Sequence, residues 1–183
     1  MEPTFTEFTK EPTLVELNNI RKEGFRPGTV ACILHNKKLL MFYKIDHKIW
    51  QLPQGGIKNT ENPKDAIKRQ LTEELGATFV KLLDIPGATY LTNDRMEFKP
   101  GKHESEKMES DEGVEVPMIG KEYFFFAIQS KKEELVISET QFDQHFWVSF
   151  REGYFLAEKM YQRGKKRITI KILNKLNDMG LIS

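Results

Sequence analysis

Residues 55–77 read GGIKNTENPKDAIKRQLTEELGA, and their oxygen-bearing side chains fall where one helix would bring them together. Glu73 and Glu74 follow Gln70 by three and four residues, so a helix sets all three on neighbouring positions of one face. Adjacent carboxylates repel unless water screens them or a cation binds between them. Hard cations such as Mg²⁺ take oxygen ligands and commonly share them with substrate phosphates. The Gly55-Gly56 pair permits a tight turn next to a ligand. The ordinary alternative is a solvated acidic helix face, because Glu-Glu pairs are frequent on helices; only the wider spacing distinguishes the two.

The helix that must carry these groups is clearly punctuated. Asn62 suits the N-cap, Pro63 the first helical position and Asp65 the first turn. Ile67, Leu71 and Leu75 form an apolar stripe, and Gly76 stops the helix. Upstream, residues 28–35 form a β-branched, apolar strand candidate. Asn36-Lys37 is a turn signal and residues 38–43 the return strand. Residues 79–85, 88–93, 122–129 and 145–148 read as further strands, and the last thirty or so as helical, with Ile168, Ile172 and Leu176 at four-residue spacing. Residues 1–24 read as an N-terminal arm holding a short helix around 14–21, and residues 25–183 as one domain. Within it, residues 98–116, rich in charges of both signs, read as a mobile loop that serves as a lid. The mixture lacks regular strand-helix alternation, which argues against a simple doubly wound sheet.

Bulk properties narrow the function. The chain has 183 residues, and its 39% hydrophobic content, with 13 Phe, supports a sheet-rich core. Lys and Arg total 28 against 27 Asp and Glu, so no global field exists to grip duplex DNA; an anionic ligand needs a local patch. Cys32 is alone and lies in an apolar run, so it reads as a buried thiol; a lone cysteine excludes an internal disulfide and fits a reducing, cytoplasmic setting. No apolar run approaches the ~20 residues that span a bilayer, so no membrane partner is expected. Met1-Glu2-Pro3-Thr4 has neither a basic start nor an apolar segment, so no secretion signal is expected.

Gly55, Glu61, Arg69, Leu71, Glu73-Glu74, Gly76 and Ala77 stand at the spacing of the Nudix box, Gly-x5-Glu-x7-Arg-Glu-U-x-Glu-Glu-x-Gly-U with U aliphatic, and the segment resembles that box. Phe25-Arg26-Pro27, the run from Trp50 through Gln54 to Ile57, the run from Ile119 to Phe124, and Phe142-Asp143 followed by Phe146-Trp147-Val148-Ser149 resemble the bacterial RNA pyrophosphohydrolase and dinucleoside polyphosphate hydrolase branch of the Nudix hydrolases. This resemblance covers roughly residues 25–175. It implies an α/β fold, an α/β/α sandwich around a mixed β-sheet. It also implies Mg²⁺-assisted attack of water on a pyrophosphate linkage, with Mn²⁺ a substitute. Glu73 and Glu74 would be metal ligands, Gly55 and the Gln54 backbone would shape the metal site, and Glu61 and Arg69 would brace loop against helix, with Gly76 closing the motif.

Two positions depart from the pattern. Gln70 stands where the box has the Glu that ligates metal or acts as general base, and Gln141 stands where the branch commonly adds another metal-binding Glu. An amide is isosteric but neutral: it accepts no proton from water near neutral pH and binds Mg²⁺ weakly. A sequence altered to trap substrate, or a lineage with rerouted chemistry, would each give this pair. Glu139 or Asp143 is the nearby acid that would replace a lost ligand, though each reads first as a loop carboxylate. Poor turnover is expected, since losing a general base costs ~10²–10⁴ in rate.

For the rest of the substrate, the resemblance points to Arg26 near the nucleotide and to Lys166 and Arg167 as a phosphate-contacting pair. Lys44 faces a phosphate or guards a strand edge. Residues 159–175 hold seven basic residues and no acid, which suits 5′-phosphates or a short single strand as well as a soluble helix face. The partner expected is therefore a 5′-phosphorylated RNA end or a nucleoside polyphosphate. The alternatives are a dinucleoside polyphosphate hydrolase and an impaired nucleotide-binding module.

Overall fold

The computed structural model describes residues 7–101, 106–135 and 140–183. Its organising strand is β1 (Phe25–His35), which turns Ala31 and Ile33 to one face and Val30, Cys32 and Leu34 to the other. Such alternation with both faces apolar demands a layer on each side. β1 returns through Asn36-Lys37, both left-handed at φ 47 and 60, into antiparallel β2 (Lys38–Lys44), a pairing whose twist matches the strands.

Five more strands complete the sheet. β3 (Ile49–Gln51) pairs with β2, and β4 (Gln54–Gly56) with β1. β8 (Gly120–Gln129) runs parallel to β1 from Phe25↔Gly120 to Leu34↔Gln129, and β5 (Thr89–Glu97) lies antiparallel outside it. β9 (Gln144–Val148) adds to β2. The seven-stranded sheet is thus mixed.

Helices α1 (Leu14–Lys22) and α2 (Pro63–Leu75) cover the face that carries Ile33, Phe124 and Phe126, through Leu17, Ile20, Ile67, Leu71 and Leu75. Helices α4 (Phe150–Glu158) and α5 (Arg163–Asp178) cover the other, where Ile168, Ile172 and Leu176 meet Val30 and Phe125. The result is the expected α/β/α sandwich. In α2, burying Ile67, Leu71 and Leu75 stabilises by on the order of 5 kcal/mol. The Asn62 cap, accepting from Asp65 N at 2.9 Å, adds only ~1 kcal/mol. Packing therefore holds the helix and the cap sets where it begins. Gly76, at φ 88, ends it.

Three expectations change. The short helix expected around 14–21 is present as α1, capped by Thr13, but it is not part of a free arm: its Leu17 and Ile20 sit in the core. The charged stretch read as a mobile loop contains a hairpin, β6 (Lys107–Glu109) with β7 (Glu115–Pro117); Asp111 and Glu112 in its turn pair with α1, which local composition does not reveal. Residues 79–85 do not form a strand. They begin with a short helix, α3 (Ala77–Val80), and Phe79, Val80 and Leu83 all reach the core; an extended chain would send Val80 outward. Cys32 is fully buried, which pushes its thiol pKa up. Among the described residues no helix is long and apolar enough to cross a membrane.

Candidate active site

The site is set by how closely α2 lies on the backbone of β4. Gly55 pairs with Thr29, and a Cβ on Gly55 would fall 2.1 Å from Gln70 Nε2. A Cβ on Gly28 would meet the Gly55 carbonyl at 2.9 Å. The glycine pair thus serves close approach within a strand; neither member has the positive φ of a tight turn.

Gln70 is buried, accepting from Thr29 Oγ1 at 3.5 Å and donating from Nε2 to Glu74 Oε1 at 3.5 Å, both weak contacts. Glu74 Oε2 is buried with no hydrogen-bond partner. Burial pushes the Glu74 carboxyl up to about 7; Lys44 opposes the shift and Glu73 adds to it. Glu73, one residue before, is 61% exposed, and its Oε2 lies 3.6 Å from Arg69 Nη1.

Arg69 makes a fork on Glu61, Nε to Oε1 at 2.8 Å and Nη2 to Oε2 at 2.9 Å, and Nη2 also donates to the Gly56 carbonyl at 2.9 Å. Hydrogen bonds from Arg69 hold the Glu61 carboxyl below its ordinary range, against an opposing effect of burial. The fork binds the loop before α2 to the helix and to β4 together.

Gly55, Gln70, Glu73, Glu74 and Gln141 line one cleft of about 540 Å³, with Arg26 and Arg69 on its rim. An orphaned buried carboxylate oxygen on Glu74, with the Gln70 amide against its other oxygen and the Glu73 carboxylate on the same cleft wall, fits a hard cation. Among the described residues no group of three or more His, Cys, Asp or Glu side chains gathers to hold a metal. Gln70 and Gln141 each occupy a place in the cleft without bringing a charge. Asp143 is engaged elsewhere, accepting from Ile45 N at 2.7 Å, and Glu139 lies outside the described residues.

A basic hollow of about 220 Å³ adjoins the cleft and shares Arg26, Pro27, Gly55 and Gly56 with it. Arg26 lies over Gly56, where a Cβ would meet its Nη2 at 2.6 Å. Lys121, its register partner on β8, lines the hollow with Tyr123. Burial lowers the Lys121 pKa, and Arg26 lowers it further. Lys165 is lowered by burial and then by Lys121 and Lys44. Four cations close enough to repel one another form a patch that an anion would relieve.

Lys166 and Arg167 are placed differently from Lys165. Lys166 Nζ donates to the Glu158 carbonyl at 2.6 Å, and Arg167 pairs with Asp94 at 2.8 Å and donates to the Arg95 carbonyl. Neither lines the cleft or the hollow; nor does Lys165, which lines a small separate pocket that shares Gln54 and Tyr123 with the hollow. Sequence reading missed Lys165 and Lys121. The signal for Lys165 was present, since it precedes Ile168 and Ile172 by three and seven residues and so shares their inward face. Tyr123 and Phe125 belong to the core, and exposed Tyr161 donates to the His47 carbonyl at 3.0 Å.

Comparison with known proteins adds an independent line. A family model described as the NUDIX domain matches residues 25–170. The chain is 28% identical over 159 residues to an RNA pyrophosphohydrolase of Thioalkalivibrio sulfidiphilus, covering 80% of this chain and 85% of that protein. The fold is similar to a solved structure from Jonesia denitrificans described as a possible asymmetric diadenosine tetraphosphate hydrolase (TM-score 0.59, 14% identity, 84% of this chain and 95% of that one). It is also similar to an Ap4A hydrolase of C. elegans (TM-score 0.52, 14% identity, 84% and 96%).

Proposed function

The chain belongs to the NUDIX family and is a hydrolase of pyrophosphate linkages, and we propose that its substrate is the 5′ end of RNA, with turnover lowered by Gln70 and Gln141. One observation carries this reading. The cleft that holds Glu73 and Glu74 and the basic hollow meet along the Gly55-Gly56 backbone, with Arg26 on both. A phosphate chain laid across that backbone would have carboxylates for its counter-cations on one side and Arg26 and Lys121 for its free oxygens on the other. The RNA end is favoured over a dinucleotide by the relative named above, which matches most of both chains.

Glu73 and Glu74, with the Gln70 amide oxygen and Gly55 at their side, would hold a divalent ion, Mg²⁺ or Mn²⁺. Such an ion, when bound, neutralises phosphate oxygens and acidifies the attacking water. Lys121, Lys165 and Arg26 hold the phosphate chain in register and stabilise negative charge that develops as the bridging P–O bond breaks. Lys44 is close enough to act electrostatically on both Glu74 and Lys165. The Glu61–Arg69 fork fixes the loop that shapes the cleft. Gln70 accepts no proton, so the step that removes the proton from water is the weak one.

Side-by-side assays of a 5′-triphosphorylated RNA oligonucleotide and diadenosine tetraphosphate, in Mg²⁺ and in Mn²⁺, test the reading. Faster release of pyrophosphate from RNA is expected. Faster cleavage of the dinucleotide would assign the alternative substrate. Tight binding of either without product after long incubation would make the domain a nucleotide-binding module.

A further inference from the structure

One wall of the cleft is held by a helix outside the family-matched segment, which begins at Phe25. Arg21, on α1, is 3% exposed and donates in three directions. Nη1 reaches Asp111 Oδ1 at 3.1 Å, and Nη2 reaches the carbonyls of Ile57 at 3.2 Å and Lys58 at 3.1 Å. Ile57 and Lys58 carry the chain from Gly56 towards Glu61. Asp111 lies in the turn of the β6–β7 hairpin, whose Met108 and Glu109 line the cleft.

The rest of α1 strengthens this grip. Asn18 accepts from Asp111 N at 2.8 Å and donates to Glu112 at 3.1 Å, while Lys22 pairs with Glu112 at 2.7 Å. Asn59 Nδ2 ties the 57–59 loop to the hairpin through the Glu109 carbonyl at 3.0 Å. A buried guanidinium is suited to such a junction, because its planar fork presents several donors in fixed directions and never loses its charge.

We propose that Arg21 is a positioning residue for the hydrolysis: by holding the 57–58 loop and the 107–117 hairpin at a fixed separation, it sets the width of the cleft that receives the phosphate chain. The proposal rests on reading this cleft as the hydrolytic site. Misplacing a substrate by about 1 Å can cost on the order of 10²-fold, so a small loss of grip in the cleft wall, which Arg21 itself helps to line, is measurable.

Three variants test it: Arg21→Lys, Arg21→Met and Asp111→Asn. Amide hydrogen exchange is measured on the intact protein, with KM and kcat for the triphosphorylated RNA in saturating Mg²⁺. Both Arg21 variants are expected to speed exchange about tenfold in residues 57–61 and 107–111 while β1 and β8 stay protected. KM should rise about tenfold with a smaller change in kcat. Asp111→Asn should loosen 107–111 alone. Faster exchange throughout β1 and β8 would overturn the proposal in favour of a general stability role. Unchanged exchange, or local loosening with KM unmoved, would also overturn it. Native turnover in a Glu73→Gln, Glu74→Gln double variant would instead remove the site assignment, and the proposal with it, whatever the exchange pattern.

Discussion

The amide of Gln70 points its nitrogen at Glu74 Oε1, 3.5 Å away. A neutral donor therefore stands where a carboxylate is expected, facing a carboxylate whose other oxygen is buried without a partner. A glutamate at position 70 would bring two acids to that contact, which would then need a shared proton or a cation between them. The amide lets the ion-free cluster fold without that cost, at the expense of a proton acceptor.

Gln70→Glu combined with Gln141→Glu should raise turnover by roughly 10²–10⁴, the usual contribution of a general base. The same change should lower the melting temperature in chelator and enlarge the rise produced by Mg²⁺. Steady-state rates and thermal melts check both; equal rates would remove the assignment of Gln70 and Gln141 as the weak points.

Gly55→Ala places a methyl 2.1 Å from the Gln70 side chain, which is packed and cannot retreat freely. Overpacking of this kind costs about 1–3 kcal/mol. A lower urea midpoint with an unchanged slope is expected, together with loss of activity. Native stability would show that α2 can move away from β4.

The Glu61–Arg69 fork gives a pH signature. Because hydrogen bonds from Arg69 hold the Glu61 carboxyl below its ordinary range, its contribution to stability is full above the unfolded value near ~4.3 and is lost as pH falls through the lower native value. Glu61→Gln should cost about 1–3 kcal/mol near neutrality and less in acid. Urea midpoints followed from about pH 6 to 3 should converge for the two proteins; parallel curves would contradict the fork's role.

Lys165→Ala should raise KM roughly tenfold and weaken its dependence on salt, whereas Lys166→Ala should leave both near native. A larger effect from Lys166→Ala than from Lys165→Ala would mean that the outward face of α5, not its inward one, meets the substrate, and equal effects would remove the distinction drawn between them.

These contrasts show where the sequence was readable. Helix α2 and its box were legible because their signals are local: Asn62 caps, Pro63 starts, Ile67, Leu71 and Leu75 face inward, and Gly76 stops. The β1–β2 hairpin was legible for the same reason. Residues 79–85 were misread because a short apolar run looks alike as strand or helix until the core decides. The 107–117 hairpin was hidden because what orders it, Asn18, Arg21 and Lys22, lies some ninety residues away in the chain. Lys165 was obscured by its neighbours: in a run of basic residues, only the phase set by Ile168 and Ile172 tells which one turns inward.

Crystals grown with Mn²⁺ and a non-hydrolysable nucleoside triphosphate would measure the central claim directly. An anomalous peak about 2.1 Å from oxygens of Glu73 and Glu74, next to Gly55 and sharing a phosphate oxygen, is the predicted result. Both carboxylates turned to solvent, with ligand bound and no ion beside them, would contradict it.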